Sequence, residues 1–324
     1  MYDIFQIPVP VKTLFNKLPL QTYGPVDKQD DALEHEFNAR SYAFEGTEAV
    51  QKSINNTFQV GVYKMAKDPS SGCFLASDPW CLFTQLSLCK KNRLRLPGGN
   101  KTQAIVDSKP VYAHSVLELS PLASTDCFLP VLVEGYAKRH VRSAAGINEI
   151  LMSRFSGAEE RMYALLLDSV VYDCYMSKVL YRLTTGQFFE VYGGETTSSA
   201  ANMLISQNHR SDLSRRNDFS LRNRELASKW RLPGVSGSDG PGQLLSVIDE
   251  NCSRTLLQFQ DLLKKSTTLF FLTNQDPSYL DLKLASYVYC LLNLPQHQNS
   301  ITDFLRQECS TLVEHTQRVI DHFS

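Results

Sequence analysis

The sequence has 324 residues and contains no C-x-x-C pair, although it has eight cysteines. Zinc sites and disulfide frameworks both favour closer or more regular cysteine spacing. Most of these cysteines fall within apolar, helix-like runs, where a reduced thiol packs as a small apolar side chain. We therefore predict reduced core cysteines and no bound metal. The residues concerned are Cys73, Cys81, Cys89, Cys127, Cys174, Cys252, Cys290 and Cys309.

No excess of one charge is present, since 33 Lys and Arg face 34 Asp and Glu, for a formal net charge of −1. Such a chain has no overall field for nucleic acid or anionic lipid, so a charged partner must meet a local patch. The sequence also lacks an apolar run of the roughly 18 residues that a membrane-spanning helix needs. Its first residues lack the charged-then-apolar order of a signal peptide. We expect the chain on the cytosolic side of a membrane, held there by partners, with no nucleic-acid partner.

Nucleotide-binding and catalytic motifs are missing as well. No P-loop or dinucleotide-binding glycine pattern occurs, and the seven histidines are scattered without metal-ligand spacing. Asp168 and Asp173 lie five residues apart on an apolar helix and so do not share one face. We interpret them as helix-edge residues or as partners of a buried arginine. The sequence thus predicts no cofactor.

What is present is an ordered series of strands and helices. A strand is predicted in "FQVGVYKM", and a helix begins in "SDPWCLFTQLSLCKKN", with Asp78 as N-cap and Pro79 at the first helical position. A second strand is predicted in "VYAHSVLELS". The stretch "FLPVLVEGYAKRHVRS" then supplies two strands, and a helix runs from Ser143 to Phe155. This order is the thioredoxin arrangement, in which Pro130 takes the position of the cis proline.

The remainder of the sequence is predicted to be helical. Long helices are expected at 159–183, 244–265 and 301–323, and Ser278 with Asp281 forms a capping box ahead of an apolar run. We divide the chain into an N-terminal extension (1–50), a thioredoxin-like domain (51–156) and an all-helical domain (157–324) with a polar insertion at about 195–243. The extension either packs along the domain surface or serves as a docking arm; a short polar helix is predicted in "DDALEHEFNAR".

A thioredoxin-like domain followed by a helical one resembles the glutathione-transferase fold, an α/β plus all-α class. "LPVLVEG", "VRSAAGINEIL" and "DPSYLD" look like that family's proline-plus-strand, third-helix entry and capping box. "PVKTLFNKLPLQTYGP", "SDPWCLFTQLSLCKKN", "LPVLVEGYAKRHVRS" and "YLDLKLASYVYCLLNL" together resemble the fungal metaxin-related receptor subunits of the mitochondrial sorting and assembly machinery (SAM complex). That resemblance spans nearly the whole chain and is weakest at 195–243.

The resemblance to the metaxin-related subunits carries a set of expectations. It implies a peripheral protein on the cytosolic face of the mitochondrial outer membrane. It also implies three kinds of partner: the barrel-forming core subunit, a second metaxin-like subunit, and β-barrel precursors whose C-terminal sorting signal the protein helps to recognise. From these we expect a non-enzymatic receptor and assembly subunit.

The residues around the thiol site of this fold argue separately against thiol chemistry. A thiol enzyme places its cysteine at the N-terminus of the first helix, where the helix dipole lowers the thiol pKa. Asp78 occupies that position here, and only Cys81 remains, one turn into the helix. An aspartate cap supplies no sulfur and disfavours a neighbouring thiolate. We therefore interpret Asp78, Cys81, Pro130 and Ser143 as remnants of a thiol site.

Two alternatives to the receptor hypothesis stay open. A glutathione-dependent transferase would use a hydroxyl near the end of the first strand, for which Tyr63 and Ser77 are available. In that case Ser143 would anchor a glutathione carboxylate; otherwise it simply caps its helix. The second alternative is a different adaptor on the same fold, such as a translation-associated module.

Two basic clusters are candidates for contacts with an acidic partner surface, or are ordinary solvated faces. In the first case their charges would set association rate and register more than affinity. An extended precursor strand is also able to add to a free edge of the sheet. The first cluster is Lys138, Arg139, His140 and Arg142, and the second is Arg215, Arg216, Arg222 and Arg224.

Overall fold

The computed structural model describes most of the chain in separate ranges. These are 32–49, 57–98, 114–135, 139–194, 200–230, 242–266, 268–273, 275–295 and 300–324, with Val9, Lys12, Thr13 and Asn16. The chain forms two compact units, Met1–Ala39 and Arg40–Ser324. In the first, helix α1 (Ala32–Ala39) confirms the helix predicted there. Lys138 and most of the N-terminal extension lie outside the described residues.

The second unit contains a five-stranded sheet in the order β1-β5-β2-β6-β7. Strands β2 and β5 are parallel, and every other neighbouring pair is antiparallel. A separate hairpin is formed by β3 and β4. The strands are β1 (Ser41–Ala43), β2 (Thr57–Val62), β3 (Met65–Lys67), β4 (Phe74–Ala76), β5 (His114–Glu118), β6 (Val131–Gly135) and β7 (Arg139–Arg142).

The connections confirm the thioredoxin arrangement. Helix α2 (Pro79–Asn92) precedes β5, and α3 (Ala144–Met152) follows β7. The peptide bond between Leu129 and Pro130 is cis, as predicted. The five-stranded sheet contains one strand that was not predicted: β1 comes from the segment assigned to the extension and pairs with β5, with Ser41 opposite Leu117. The β3–β4 hairpin was not predicted either. The boundaries of the three predicted segments stay a prediction.

Helices make up the rest of the second unit. They are α4 (Ala158–Leu166), α5 (Tyr172–Tyr181), α6 (Thr185–Tyr192), α7 (Ala200–Arg215), α8 (Phe219–Arg222), α9 (Arg224–Trp230), α10 (Gly242–Lys265), α11 (Tyr279–Leu292), α12 (Ser300–Glu308) and α13 (Ser310–His322). A sheet domain of thioredoxin order continuing into helices is the glutathione-transferase-like architecture. Among the described residues, none of these helices combines the length and the apolarity that crossing a bilayer requires.

Two predicted helices differ from the structure. The predicted helix 159–183 runs through α4 and α5, with a π-helical turn, Leu167–Val171, between them. The prediction of one helix over 301–323 is wrong, because Cys309 has non-helical angles (φ −116°, ψ 35°) and separates α12 from α13. Neither glycine nor proline marks this break, and the buried Ile301, Leu305, Leu312 and Val319 keep helical spacing across it, so the sequence pattern does not reveal it.

The cysteines lie where the sequence analysis places them. All eight are free thiols; Cys127 is half-buried and the other seven are buried. Ser278 and Asp281 form the predicted capping box at the start of α11, in which the Ser278 Oγ accepts from the Asp281 amide and the Asp281 carboxylate accepts from the Ser278 amide.

Candidate functional site

The N-terminus of α2, where a thiol enzyme of this fold holds its cysteine, is capped by Asp78. The Asp78 backbone is extended (φ −106°, ψ 138°), and its Oδ2 accepts hydrogen bonds from the amides of Trp80 (3.1 Å) and Cys81 (3.3 Å). This confirms the predicted N-cap. Asp78 has 0% of its surface exposed. A buried carboxylate needs more than amide donors to stay ionised at low cost, so a cation is expected beside it.

That cation is Arg216, which follows α7 and lies 138 residues away in sequence. Its Nη2 donates to Asp78 Oδ1 at 2.7 Å and its Nη1 to Asp78 Oδ2 at 3.1 Å, so the pair is bidentate. The Tyr192 hydroxyl donates to Asp78 Oδ1 at 3.0 Å. Only 1% of the Arg216 side chain is exposed. Together Asp78 and Arg216 form a buried ion pair, here called the Asp78–Arg216 lock.

Aromatic side chains enclose the guanidinium group of the lock. Its carbon lies 5.2 Å from the ring centre of Trp80 and 5.5 Å from that of Tyr172. Arg216 Nε also donates to the Tyr172 hydroxyl at 2.9 Å. Burial lowers the pKa of Arg216, but the Asp78 carboxylate and the surrounding phenols outweigh this, so that the pKa lies well above its ordinary value. Arg216 is therefore charged at every physiological pH.

The lock also occupies the main chain beside the cis proline. Arg216 Nη1 donates to the Leu129 carbonyl at 3.5 Å, and the Leu129 amide donates to the Tyr63 hydroxyl at 3.0 Å. Both polar main-chain groups of Leu129 therefore have partners within the protein. A ligand that paired with this segment would have to displace one of them, which disfavours ligand binding beside Pro130.

Each candidate nucleophile near this position has a defined environment within the protein. Cys81 is fully buried, and burial followed by the Asp78 charge raises the pKa of its thiol well above the ordinary value. Burial likewise raises the pKa of Tyr63. The Ser77 hydroxyl contacts the carbonyl oxygens of Lys64 and Val191. Ser143 caps α3, where its Oγ accepts from the Gly146 amide at 3.5 Å.

The segment that supplies Arg216 is held in an uncommon backbone conformation. Asn217 and Asp218 have φ values of 53° and 54°, which non-glycine residues seldom adopt. The side-chain amide of Asn217 donates to the Asp168 carbonyl at 2.7 Å, and Arg222 Nη1 donates to the Asn217 carbonyl at 2.6 Å. These two bonds hold the turn that directs Arg216 inward.

A second buried arginine fixes α7 on the helical core. Arg210 donates to four carbonyl oxygens at the end of α5 and the start of α6, at 2.7 to 3.2 Å. The Val179 and Leu180 carbonyls lie in the last turn of α5, where carbonyls lack a partner within the helix, so a cation there is favoured. Leu183 and Thr184 lie between α5 and α6, and the Thr184 carbonyl also accepts from the Phe188 amide. Burial lowers the pKa of Arg210 to about 10. The predicted polar insertion therefore holds helices together through its cations.

His209, also on α7, lies in a buried aromatic box beside the lock. Its ring centre is 5.4 Å from those of Tyr63 and Tyr192 and 5.3 Å from that of Phe188, and its Nε2 has no hydrogen-bond partner in the described part of the chain. Burial, and then the charge of Arg216, lowers the pKa of His209 from 6.5 to about 4. The folded protein thus holds this imidazole neutral.

This histidine predicts a specific acid sensitivity. In the unfolded chain His209 takes up a proton as the pH falls through 6.5, whereas in the folded chain it does so only near 4. Its contribution to stability is therefore complete above pH 6.5 and is lost progressively down to about pH 4. Between pH 7 and pH 5 we expect about 2 kcal/mol of this loss to come from His209.

The measurement is the free energy of unfolding of wild type and His209→Phe at both pH values. Phenylalanine fits the aromatic box and carries no proton, so the variant should lose about 2 kcal/mol less than wild type on acidification. If the larger ring changes the free energy of unfolding equally at both pH values, that change cancels when the two losses are compared. Equal losses in the two proteins would show that His209 does not titrate as described.

The first basic cluster lies at an open edge of the sheet. His140 and Arg142 are exposed on β7, and no strand in the described ranges pairs with the outer edge of β7. Arg142 Nε donates to Glu134 Oε2 on β6 at 2.7 Å. Arg139 lies on the same strand, but its side chain is outside the described atoms. The role predicted for this cluster stays a prediction.

The second basic cluster is divided by the structure. The prediction that Arg216 lies on a partner-facing surface is wrong, because Arg216 is 1% exposed and pairs with the buried Asp78. Arg222 forms a bidentate pair with Asp173, at 2.6 and 3.1 Å, so its charge is used within the protein. Arg215 is 67% exposed and contacts Asp212, and Arg224 is exposed. Arg215, Arg222 and Arg224 thus keep the predicted exposure to solvent, and of these Arg222 is paired with Asp173.

The two acidic residues on the long helix each pair with a cation. Asp173 pairs with Arg222, whose side chain is 32% exposed, and so not with the buried arginine of one interpretation. Asp168 instead pairs with Lys283, whose Nζ lies 2.6 Å from Asp168 Oδ2.

Sequence reasoning identified the Asp78 cap and missed its partner. A signal was present: His209, Leu213 and Arg216 are spaced by four and three residues, which places them on one face of a helix. All three are buried. The high polarity of residues 195–243 concealed this inward face.

Comparisons with known proteins agree on one relationship. Residues 5–134 match a protein family described as SAM35, a subunit of the SAM complex. The chain is 35% identical over 341 aligned residues to the "Sorting assembly machinery 35 kDa subunit" of Saccharomyces cerevisiae, with 100% of this chain and 99% of that protein covered.

Among solved structures, the chain is similar to a glutathione transferase from Streptococcus pneumoniae that was crystallised with glutathione. The TM-score is 0.34 at 11% identity, and 92% of this chain and 93% of that one are covered. The strand order and connections described above define the fold.

Proposed function

Since the chain belongs to the SAM35 family, whose yeast member is a subunit of the sorting assembly machinery, we propose that it acts as a non-enzymatic peripheral subunit on the cytosolic face of the mitochondrial outer membrane. In this role it binds the barrel-forming core subunit and a second metaxin-like subunit. It helps recognise the C-terminal sorting signal of β-barrel precursors and supports their insertion.

The observation that carries the non-enzymatic part is the Asp78–Arg216 lock. The pair occupies the helix N-terminus and the carbonyl of Leu129, the residue before the cis proline, with the protein's own groups. With Asp78 and Arg216 in the place of a catalytic cysteine, the fold keeps its strands and helices as a scaffold for binding other proteins. Because the lock ties α2 to the turn after α7, it also rigidifies the sheet domain against the helices.

The open edge of β7 supports a place for precursor contact. An extended segment that adds to a sheet edge gains main-chain hydrogen bonds without requiring a fixed sequence. The exposed His140 and Arg142 would then face the incoming segment. Charged residues also protect sheet edges from unwanted pairing, so selectivity would come from the side chains.

Assembly is tested by purifying the tagged chain from its own mitochondria in mild detergent and identifying the recovered proteins by mass spectrometry. We expect stoichiometric recovery of an outer-membrane β-barrel protein and a second metaxin-like subunit. Recovery of the chain alone, or with soluble cytosolic proteins, would refute the assembly role and favour a different adaptor.

Precursor contact is tested with a photo-crosslinking residue at His140, matched by one at Arg254, whose side chain is 64% exposed on α10. A β-barrel precursor should crosslink at His140 only when its C-terminal segment is present. Equal crosslinking at both positions, or crosslinking that does not depend on that segment, would remove the β7 edge from the proposal.

A further inference from the structure

A groove lies between α2 and α3, on the face of the sheet formed by β6 and β7, and Tyr279 of α11 contributes to its lining. This α2–α3 groove is separate from the lock and has a volume of about 200 Å³. Cavities that hold cofactors or drug-sized ligands are usually about 300 Å³ or larger. The groove is therefore suited to one or two side chains that project from another protein segment.

The walls of the groove are mostly apolar and contain one unpartnered polar group. Leu88, Leu132 and Ile147 are buried and line it. Ser87 on α2 also lines it, is only 3% exposed, and its hydroxyl has no hydrogen-bond partner within the described ranges. A buried hydroxyl without a partner is unfavourable. An incoming polar atom beside Ser87 would remove that cost.

The rim of the groove is cationic. Lys91, Arg142 and Arg154 line it, each exposed to solvent, and the acidic residue among the lining residues is Glu134. The Glu134 carboxylate already accepts from Arg142 Nε at 2.7 Å. Three cations against one buried carboxylate give local positive charge on a chain whose net charge is −1. The pairing with Glu134 also holds Arg142 across the groove before any partner binds.

From this arrangement we propose that the α2–α3 groove is a docking site for an acidic segment of a partner protein. The segment inserts an apolar side chain between α2 and α3 and places carboxylates against Lys91, Arg142 and Arg154. The buried anchor supplies most of the affinity, and the charges set association rate and register. An anionic lipid headgroup is less suited, because the interior walls are apolar and a headgroup offers no side chain to fill them.

The test uses the purified full-length chain and a random peptide library displayed on phage. We expect enrichment of peptides in which an apolar residue is flanked by Asp or Glu. Synthetic copies should bind wild type and lose about tenfold in affinity, or 1.4 kcal/mol, on Ile150→Asp and on Arg154→Glu. Ile150 is 37% exposed and lines the groove, so its replacement should leave the fold intact.

Matched controls are Ile205→Asp on α7, where Ile205 is 55% exposed, and Arg161→Glu on α4, where Arg161 is also exposed. Peptide binding should be unchanged in both controls. A melting curve of each variant establishes that it is folded. If a groove variant does not fold, Arg154→Gln replaces it. Absence of acidic-apolar peptides from the selection, or peptides insensitive to the groove variants, would overturn the proposal. So would binding of anionic phospholipid vesicles that Arg154→Glu abolishes while the acidic peptides fail to bind.

Discussion

Replacing Arg216 by methionine should destabilise the protein by about 3–5 kcal/mol, because it leaves the fully buried Asp78 carboxylate without its counter-ion. Methionine fills a similar volume, so the loss reports the missing charge and hydrogen bonds more than a cavity. In a protein of this size the melting temperature should fall by roughly 5–15 °C. Arg161→Met, at an exposed position on α4, is the matched control and should change stability by less than about 0.5 kcal/mol.

A double-mutant cycle separates the interaction energy of the ion pair from the other destabilising effects of each substitution. Asp78→Leu alone leaves the Arg216 guanidinium buried and uncompensated, and should cost as much as Arg216→Met. The double variant removes both charges and should be less destabilised than the sum of the two single variants, with a coupling energy of about 1–3 kcal/mol. Additive losses would mean that the two side chains do not stabilise each other as the geometry indicates.

Replacing Asp168 by leucine should have an effect of similar size on the helical core. Asp168 lies in the π-helical turn, where its Oδ2 is 2.6 Å from Lys283 Nζ and its Oδ1 accepts from the Tyr287 hydroxyl at 2.8 Å. The Lys283 ammonium also lies 5.2 Å and 5.8 Å from the ring centres of Phe83 and Phe155. Without Asp168 this ammonium is buried among apolar groups, and we expect a loss of about 3–5 kcal/mol.

Chemical denaturation measures this loss, and Lys283→Met added to Asp168→Leu should restore part of it. The control is Asp212→Leu, because Asp212 pairs with Arg215, whose side chain is 67% exposed. Surface pairs of this kind contribute about 0–1 kcal/mol. If Asp168→Leu destabilises the protein no more than Asp212→Leu does, the buried pair is not a source of stability.

Local chemistry made parts of this structure predictable from the sequence. Asp78 before Pro79, Pro130 before a strand, and Ser278 three residues before Asp281 each specify one backbone arrangement within a few residues. The strand order followed from these fixed points and from the alternation of apolar residues between them. Features set by nearby residues were therefore recovered.

Features set by distant residues were not recovered from the sequence. The partner of Asp78 lies 138 residues away, and no local pattern states that a buried aspartate and a distant arginine meet. Residues 195–243 are polar on average, yet the structure buries Asn202, Ser206, His209, Arg210 and Arg216 from this stretch. Burial of polar groups depends on partners that only the tertiary structure brings together.

The most direct test of the claim that Arg216 closes the thiol position is glutathione binding to the wild-type chain, followed by isothermal titration calorimetry and by the melting temperature. With Asp78 and both main-chain groups of Leu129 engaged internally, we predict no saturable heat and no shift in melting temperature at millimolar glutathione. A ligand at about 100 times its Kd would stabilise the folded protein by about 2.7 kcal/mol, which is readily detected. Saturable binding with such a shift would contradict the account and return the glutathione-dependent transferase as the explanation of the fold.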